Sequence, residues 1–206
     1  LLQPSEYGLL GMVTVFTAIA TVFTDSGFGQ AMVRKTDLTE EDKLTAFWFS
    51  CGMGILVYIA LFISAPWVSV FYKEPQLTDI LRITSIPILF SGLLTIPNMI
   101  FTREINFKAT TKISFSRAIL SGVIGIYMAI MGYGVWALIV QGLVSYAIGI
   151  IMFNYYCRWK IKFIFKKNSF HYLWGFGSKM LASNLINTAY SNLYQIIIGK
   201  FYSSTD

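Results

Sequence analysis

The sequence predicts an all-α fold, a polytopic bundle of transmembrane helices, and three observations carry that reading. Hydrophobic residues make up 55% of the chain and charged residues 13%, where a soluble domain carries roughly 25% charge, and mean hydropathy is +0.61. Six apolar runs follow one another, each at or above the ~18 residues that cross a bilayer as a helix. Trp67, Tyr72, Tyr133, Trp136, Tyr155, Trp159, Tyr172 and Trp174 fall at run ends, where amphipathic rings settle at a membrane surface. The net charge of +6 resides between the runs and forms no basic face interleaved with aromatics, so it argues topology among membrane lipids and against nucleic acid.

The first run, Tyr7 to Thr24, carries no charge. Pro4, a possible N-cap at Ser5 and Glu6 in the first turn suit a helix start. Asp25 then precedes Ser26-Gly27-Phe28-Gly29 before the apolar run resumes and closes on Arg34 and Lys35. An acid at membrane depth costs a few kcal/mol or more unless it faces protein or water, so Asp25 is a candidate functional residue. It also fits a cap at a helix break, or a partner for a neighbouring cation.

The second run, Leu44 to Tyr72, opens on Thr39-Glu40-Glu41-Asp42, an acidic helix start, with Pro66 a candidate kink. The third, Leu77 to Thr102, contains Arg82 and two prolines, Pro87 and Pro97. A helix bent twice in lipid needs neighbours to satisfy the freed carbonyls. The fourth and fifth, Ile113 to Met131 and Val135 to Cys157, form an antiparallel hairpin around Gly132-Tyr133-Gly134. A basic linker, Arg158 to Asn168, with alternating apolar residues reads as an interfacial segment against lipid head groups. The sixth run, Tyr172 to Gly199, is studded with polar residues. Cys51 and Cys157 read as packed thiols, and the single histidine, His171, excludes a His-rich metal site. No catalytic constellation is visible, so no enzyme, metal or cofactor is expected.

Alternate connections hold Arg34, Lys35, Lys43, Arg103, Lys108, Lys112 and the basic linker, while the other set holds only Lys73 and Lys200. The positive-inside rule makes the first set cytoplasmic. Leu1 and Asp206 are then both outside, and one more helix is expected ahead of Leu1.

Two helices carry polar stripes. Ser114, Arg117, Ser121 and Gly125 share one face of the fourth span, and Asn184, Asn187, Thr188, Ser191 and Gln195 share one face of the sixth. In lipid such faces turn toward each other or toward water. Arg82 and Arg117 also lie near enough to span ends to snorkel.

Several stretches then look familiar: PSEYGLLGMV at 4–13, DSGFGQAMVRK with LTEED at 25–42, TREINFK at 102–108, GYGVWALIVQ at 132–141 and FGSKMLASN at 176–184. In this order they resemble the Wzx and TuaB type of polysaccharide exporter, in the multidrug, oligosaccharidyl-lipid and polysaccharide (MOP) flippase superfamily. The resemblance implies two six-helix bundles around a central cavity, of which this chain supplies approximately helices two to seven. Residues 1–168 would be the N-terminal bundle with its cytoplasmic linker, and residues 169–206 the first helix of the second. It implies movement of a polyprenyl-pyrophosphate-linked oligosaccharide across the bacterial inner membrane, for O-antigen, exopolysaccharide or teichuronic-acid-like polymers, beside other polysaccharide-assembly membrane proteins.

On the spans, the expected cavity is lined by Asp25, Arg117, Ser121, Asn184, Asn187, Ser191 and Gln195, with Arg82 nearer the outer mouth. Cations would meet the pyrophosphate, amides the sugar, and Asp25 would couple transport to Na+ or H+. A drug or cation antiporter of the same superfamily should be richer in acids than bases. A membrane polymerase or ligase should have a sizeable outer loop, whereas the connections at 73–76 and 132–134 are short.

Overall fold

The computed structural model describes residues 4–105, 107–157 and 159–201. They form helices and connections with no strand among them. The chain runs α1 (Pro4–Asp25), α2 (Phe28–Arg34), α3 (Glu40–Tyr72), α4 (Leu77–Thr84), α5 (Ile86–Leu89), α6 (Gly92–Arg103), α7 (Phe107–Ile130), α8 (Val135–Cys157) and α9 (Lys167–Phe201).

Four helices, α1, α3, α7 and α8, are long and apolar enough to cross a membrane, and α4–α5 with α6 make a fifth as a pair bent by 53°. The helix holding the sixth run, α9, has the length at 35 residues but falls outside that set among the described residues. The protein is a multi-pass membrane protein with four or five such spans among the described residues, where six were expected. Ile55, Leu56, Ile59 and Ile63 of α3 and Leu120, Val123 and Ile126 of α7 face outward, as a lipid-facing surface requires. Leu1, Asp206 and Arg158 lie outside the described residues.

The first run, Tyr7 to Thr24, lies within one helix, and that helix does not continue to Val33. Ser26 and Gly27 take left-handed backbone, φ 48° and 69°, so α1 ends on Asp25 and α2 starts at Phe28. Only glycine adopts such a conformation without cost. The acid therefore stands at a helix break. At the other end Ser5 lies within α1, which begins at Pro4 instead of being capped at Ser5.

Thr39 and Asp42 start α3 as a capping box: the Asp42 carboxylate accepts from Thr39 N at 3.0 Å, and Asp42 N donates to Thr39 Oγ1 at 3.3 Å. Arg103 closes α2 by donating to the carbonyls of Met32, Lys35 and Thr36 at 3.2, 2.7 and 2.8 Å, the orphan acceptors of a helix end. Lys35 Nζ meets the buried Asp42 carboxylate at 2.6 Å.

Pro66 does not interrupt α3, and Pro97 lies inside α6. The third run breaks instead at Ser85 and at Phe90–Ser91, with 3₁₀-type bonds from Ser91 N to Ile88 O and from Leu94 N to Ser91 O retaining the backbone pairing. That broken backbone presses on α3, where a Cβ at Gly54 would stand 2.6 Å from Ile88 O. The carbonyls the prolines leave free are met by side chains. Pro66 removes the donor for Phe62 O, and Arg82 Nε lies 3.4 Å from it. Pro97 removes the donor for Leu93 O, and Asn154 Nδ2 lies at 3.5 Å.

Three buried clusters hold the bundle. One joins α1, α3, α4 and α8 around Val13, Ala65, Leu77 and Leu81, a second joins α2, α3, α6 and α9 around Phe28, Met32, Ile96 and Leu173, and a third joins α6, α7 and α8 around Ile113 and Phe153. Residues 169–177 thus share a core with the preceding helices. The basic linker is tied down: Trp48 Nε1 donates to Lys162 O at 2.9 Å, Lys166 N to Thr45 Oγ1 at 3.0 Å, and Trp159 Nε1 to Glu40 at 3.1 Å. Phe163 and Phe165 remain outward.

Candidate functional site

Two hollows edged by polar side chains meet at the C-terminal end of α1, the larger of them lined also by Val33, Leu94 and Met99. The larger, about 510 Å³, is bounded by Thr21, Thr24 and Asp25 of α1, Gln30 and Arg34 of α2, Ser91, Thr95, Asn98 and Thr102 of α6, and Tyr146 of α8. The other, about 470 Å³, lies between Ala18, Thr21, Val22 and Asp25 of α1 and Asn184, Asn187, Thr188, Ser191 and Asn192 of α9. Thr21 and Asp25 border both.

The geometry comes from the break. Because the chain turns at Ser26–Gly27, α2 leaves the line of α1 and brings Gln30 and Arg34 around the same space. Gly177 of α9 fits against that turn: a Cβ there would sit 2.7 Å from Ser26 O and 2.9 Å from the Phe28 ring. This close approach lays the polar face of α9 beside Asp25, two turns farther along the helix.

Most hydroxyls at the site bond their own helix. Thr17, Thr21 and Thr24 donate to carbonyls one turn back, as do Thr95 and Thr102 of α6 and Ser191 of α9. That leaves their oxygens as acceptors toward the hollows. The side chains of Asp25, Gln30, Asn98, Asn184 and Asn187 have no hydrogen-bond partner among the described residues, so their donors and acceptors are open to a ligand. Arg34 stacks its guanidinium 4.9 Å over the Phe176 ring and keeps its N–H groups for the hollow. No group of three His, Cys, Asp or Glu comes together among the described residues.

The expected site residues divide. Asp25, Asn184, Asn187 and Ser191 share a hollow. Gln195 belongs to α9, and its side chain lies outside the described ones. Arg117 and Ser121 instead face α8: Arg117 Nε donates to Ser145 O at 3.0 Å and its guanidinium lies on Gly149, while Gly125 lies on Gln141. Ser121 is buried and bonds Arg117 O at 2.6 Å. Arg117, Ser121 and Gly125 of the α7 stripe are therefore turned into the hairpin that the short turn sets up, while Ser114 is exposed. Arg82 stacks 4.2 Å over the Phe62 ring of α3, away from both hollows.

Arg34, Gln30 and the face Ser91, Thr95, Asn98, Thr102 were not expected at the site. The α6 face was legible, since steps of four, three and four place those residues on one side of a helix. It was masked by the prolines around it. Arg34 read only as a marker of topology, because nothing in the sequence shows α2 turning.

A profile of the family described as "Polysaccharide biosynthesis protein" matches residues 1–206. Similar curated proteins include the teichuronic acid biosynthesis protein TuaB of Bacillus subtilis, 29% identical over 90% of this chain and 39% of its own length. The succinoglycan biosynthesis transport protein ExoT of Rhizobium meliloti is 22% identical over 100% of this chain and 42% of its own. The lipopolysaccharide biosynthesis protein WzxC of Escherichia coli is 21% identical over 95% and 40%. This chain therefore spans about two fifths of the length of these relatives. No solved structure matches.

Proposed function

The chain belongs to the polysaccharide biosynthesis protein family, and from that premise we propose that it forms part of a flippase moving a polyprenyl-pyrophosphate-linked oligosaccharide across the bacterial plasma membrane. The observation that carries this is the pair of polar hollows at Asp25, lined from α1, α2, α6, α8 and α9, in a protein whose outer faces are apolar. Unpaired amides suit a sugar, and a guanidinium suits a phosphate. Of the cations, Arg34 takes the role expected of Arg82 and Arg117, because it borders the larger hollow and they border neither.

In this reading α9 opens a second bundle, the basic connections face the cytoplasm, and Asp25 binds H+ or Na+ in one state and releases it in the other. A cation antiporter finds less support, because the described lining of the larger hollow sets one carboxylate, Asp25, against one guanidinium, Arg34. The test is the full-length gene carrying Asp25→Asn or the pair Asn184→Ala and Asn187→Ala, expressed in a strain lacking its own copy. Surface polysaccharide should fall at least tenfold while its lipid-linked precursor accumulates. Unchanged export at equal protein level would overturn the assignment.

A further inference from the structure

The larger polar hollow is flanked by an apolar one. Tyr146 of α8 borders both, and beyond it a groove of about 460 Å³ runs between Pro87, Phe90 and Leu93 on one side and Leu143, Ala147 and Ile151 of α8 on the other. The groove exists because the third span is broken at Phe90–Ser91 and bent by 53°, and because Ala147 leaves a shallow place in the facing helix. Phe90 is 47% and Ile151 68% exposed, so the groove opens sideways toward lipid.

A ligand filling both spaces must be polar at one end and a hydrocarbon chain at the other. The cations at this end of the bundle decide which polar group. Lys35 is paired with Asp42 and Arg103 donates to three carbonyls, whereas Arg34 borders the hollow with only an aromatic ring against it. A guanidinium with free donors selects a phosphate-type anion.

We propose that the groove between α5–α6 and α8 seats the isoprenoid tail of the lipid carrier while Arg34 holds its pyrophosphate, with Tyr146 at the boundary between head and tail. This rests on the flippase reading above and adds where the chain lies. A second apolar hollow serves as a control. It is of similar size, between Phe16, Ala20 and Phe23 of α1 and Leu56, Ala60 and Ser64 of α3, and it shares no residue with either polar hollow. Bilayer lipid is as apolar as either groove, so burial alone does not favour a tail there. The head group must hold it in place.

The experiment uses the full-length protein in phosphatidylglycerol vesicles containing a radiolabelled long-chain polyprenyl pyrophosphate, with a benzophenone side chain placed at Phe90, at Ile151 or, as control, at Leu56. Capture of the polyprenyl probe is expected at Phe90 and Ile151, falling about tenfold with Arg34→Gln, and at Leu56 only at a background indifferent to Arg34→Gln. Labelled phosphatidylglycerol should be captured alike at all three positions. Equal capture of the polyprenyl probe at Leu56 and Phe90, or capture at Phe90 that survives Arg34→Gln, overturns the proposal. So does absence of capture at both groove positions in a protein that still restores export, an outcome that leaves the flippase reading standing. Loss of that reading would show separately, as export that does not depend on the gene.

Discussion

The turn at Ser26–Gly27 and the glycine it packs against on α9 should be the most sensitive point of this bundle. In Gly177→Ala the new methyl would stand 2.7 Å from Ser26 O, 2.9 Å from Phe28 Cδ1 and 3.1 Å from Phe28 Cε1. Phe28 is fully buried and packs 4.6 Å from the Phe49 ring, so the ring cannot swing aside cheaply. Overpacking of this kind costs about 1–3 kcal/mol, while replacing a mid-helix glycine by alanine returns about 1 kcal/mol. The net expectation is a loss of up to about 2 kcal/mol. Gly175 supplies the control: it lies in the same helix, a Cβ there meets nothing within 4 Å, and Gly175→Ala should gain up to about 1 kcal/mol. Denaturant unfolding of the full-length protein in detergent, followed by tryptophan fluorescence, measures the difference. Export should fall for Gly177→Ala, because moving α9 outward draws Asn184 and Asn187 away from Asp25. Equal stability of the two variants would show that α1, α2 and α9 do not meet this way.

Arg103→Gln should cost about 2 kcal/mol, since one guanidinium serves three carbonyls at the end of α2, and limited proteolysis should then cut first at 34–39. Asp42→Asn should cost about 1–3 kcal/mol by leaving Lys35 without its carboxylate, read as a lower unfolding midpoint. Arg117→Gln should loosen the α7–α8 hairpin by about 1–2 kcal/mol and reduce export only in proportion to folded protein, whereas Arg34→Gln should reduce export with the unfolding midpoint unchanged. Arg82→Met should cost about 1 kcal/mol, and less in a Pro66→Ala background, where the Phe62 carbonyl regains a backbone donor.

Composition and periodicity made the helices legible, and the capping pattern Thr39-Glu-Glu-Asp42 located the start of α3 almost to the residue. What they left hidden depends on contacts between distant segments. The polar stripe of α9 was visible at helical spacing, and it does stand beside Asp25. The equally regular stripe of α7 was also visible, yet its partner is α8, because the short Gly132-Tyr133-Gly134 turn lays those helices side by side. A stripe says that a face is buried or wet. It does not say against which neighbour. The same holds for Arg34, whose sequence position beside Lys35 suggests one role for both. The structure separates them, because α2 is short and ends in the carbonyls that Arg103 occupies.

The distribution of cations follows from the cost of bare carbonyls in lipid. Each proline within a span removes a backbone donor, and with no water at hand a side chain must replace it. Arg82 lies opposite Phe62 O, freed by Pro66, and Asn154 lies opposite Leu93 O, freed by Pro97. Arg103 does the same work at the end of α2. A polar residue whose hydrogen bonds are all made to the backbone has nothing left to offer a ligand, however deep in the membrane it lies. By that criterion Arg103 is bonded into the fold, while Arg82 and Arg117 each give Nε to a carbonyl and border neither hollow. Asp25, Gln30, Arg34, Asn98, Asn184 and Asn187 line the two hollows and have no hydrogen-bond partner among the described residues. Position beside a hollow, together with unmet hydrogen-bonding capacity, is why the proposed anion-binding role falls to Arg34 at the end of α2 and not to Arg82 or Arg117.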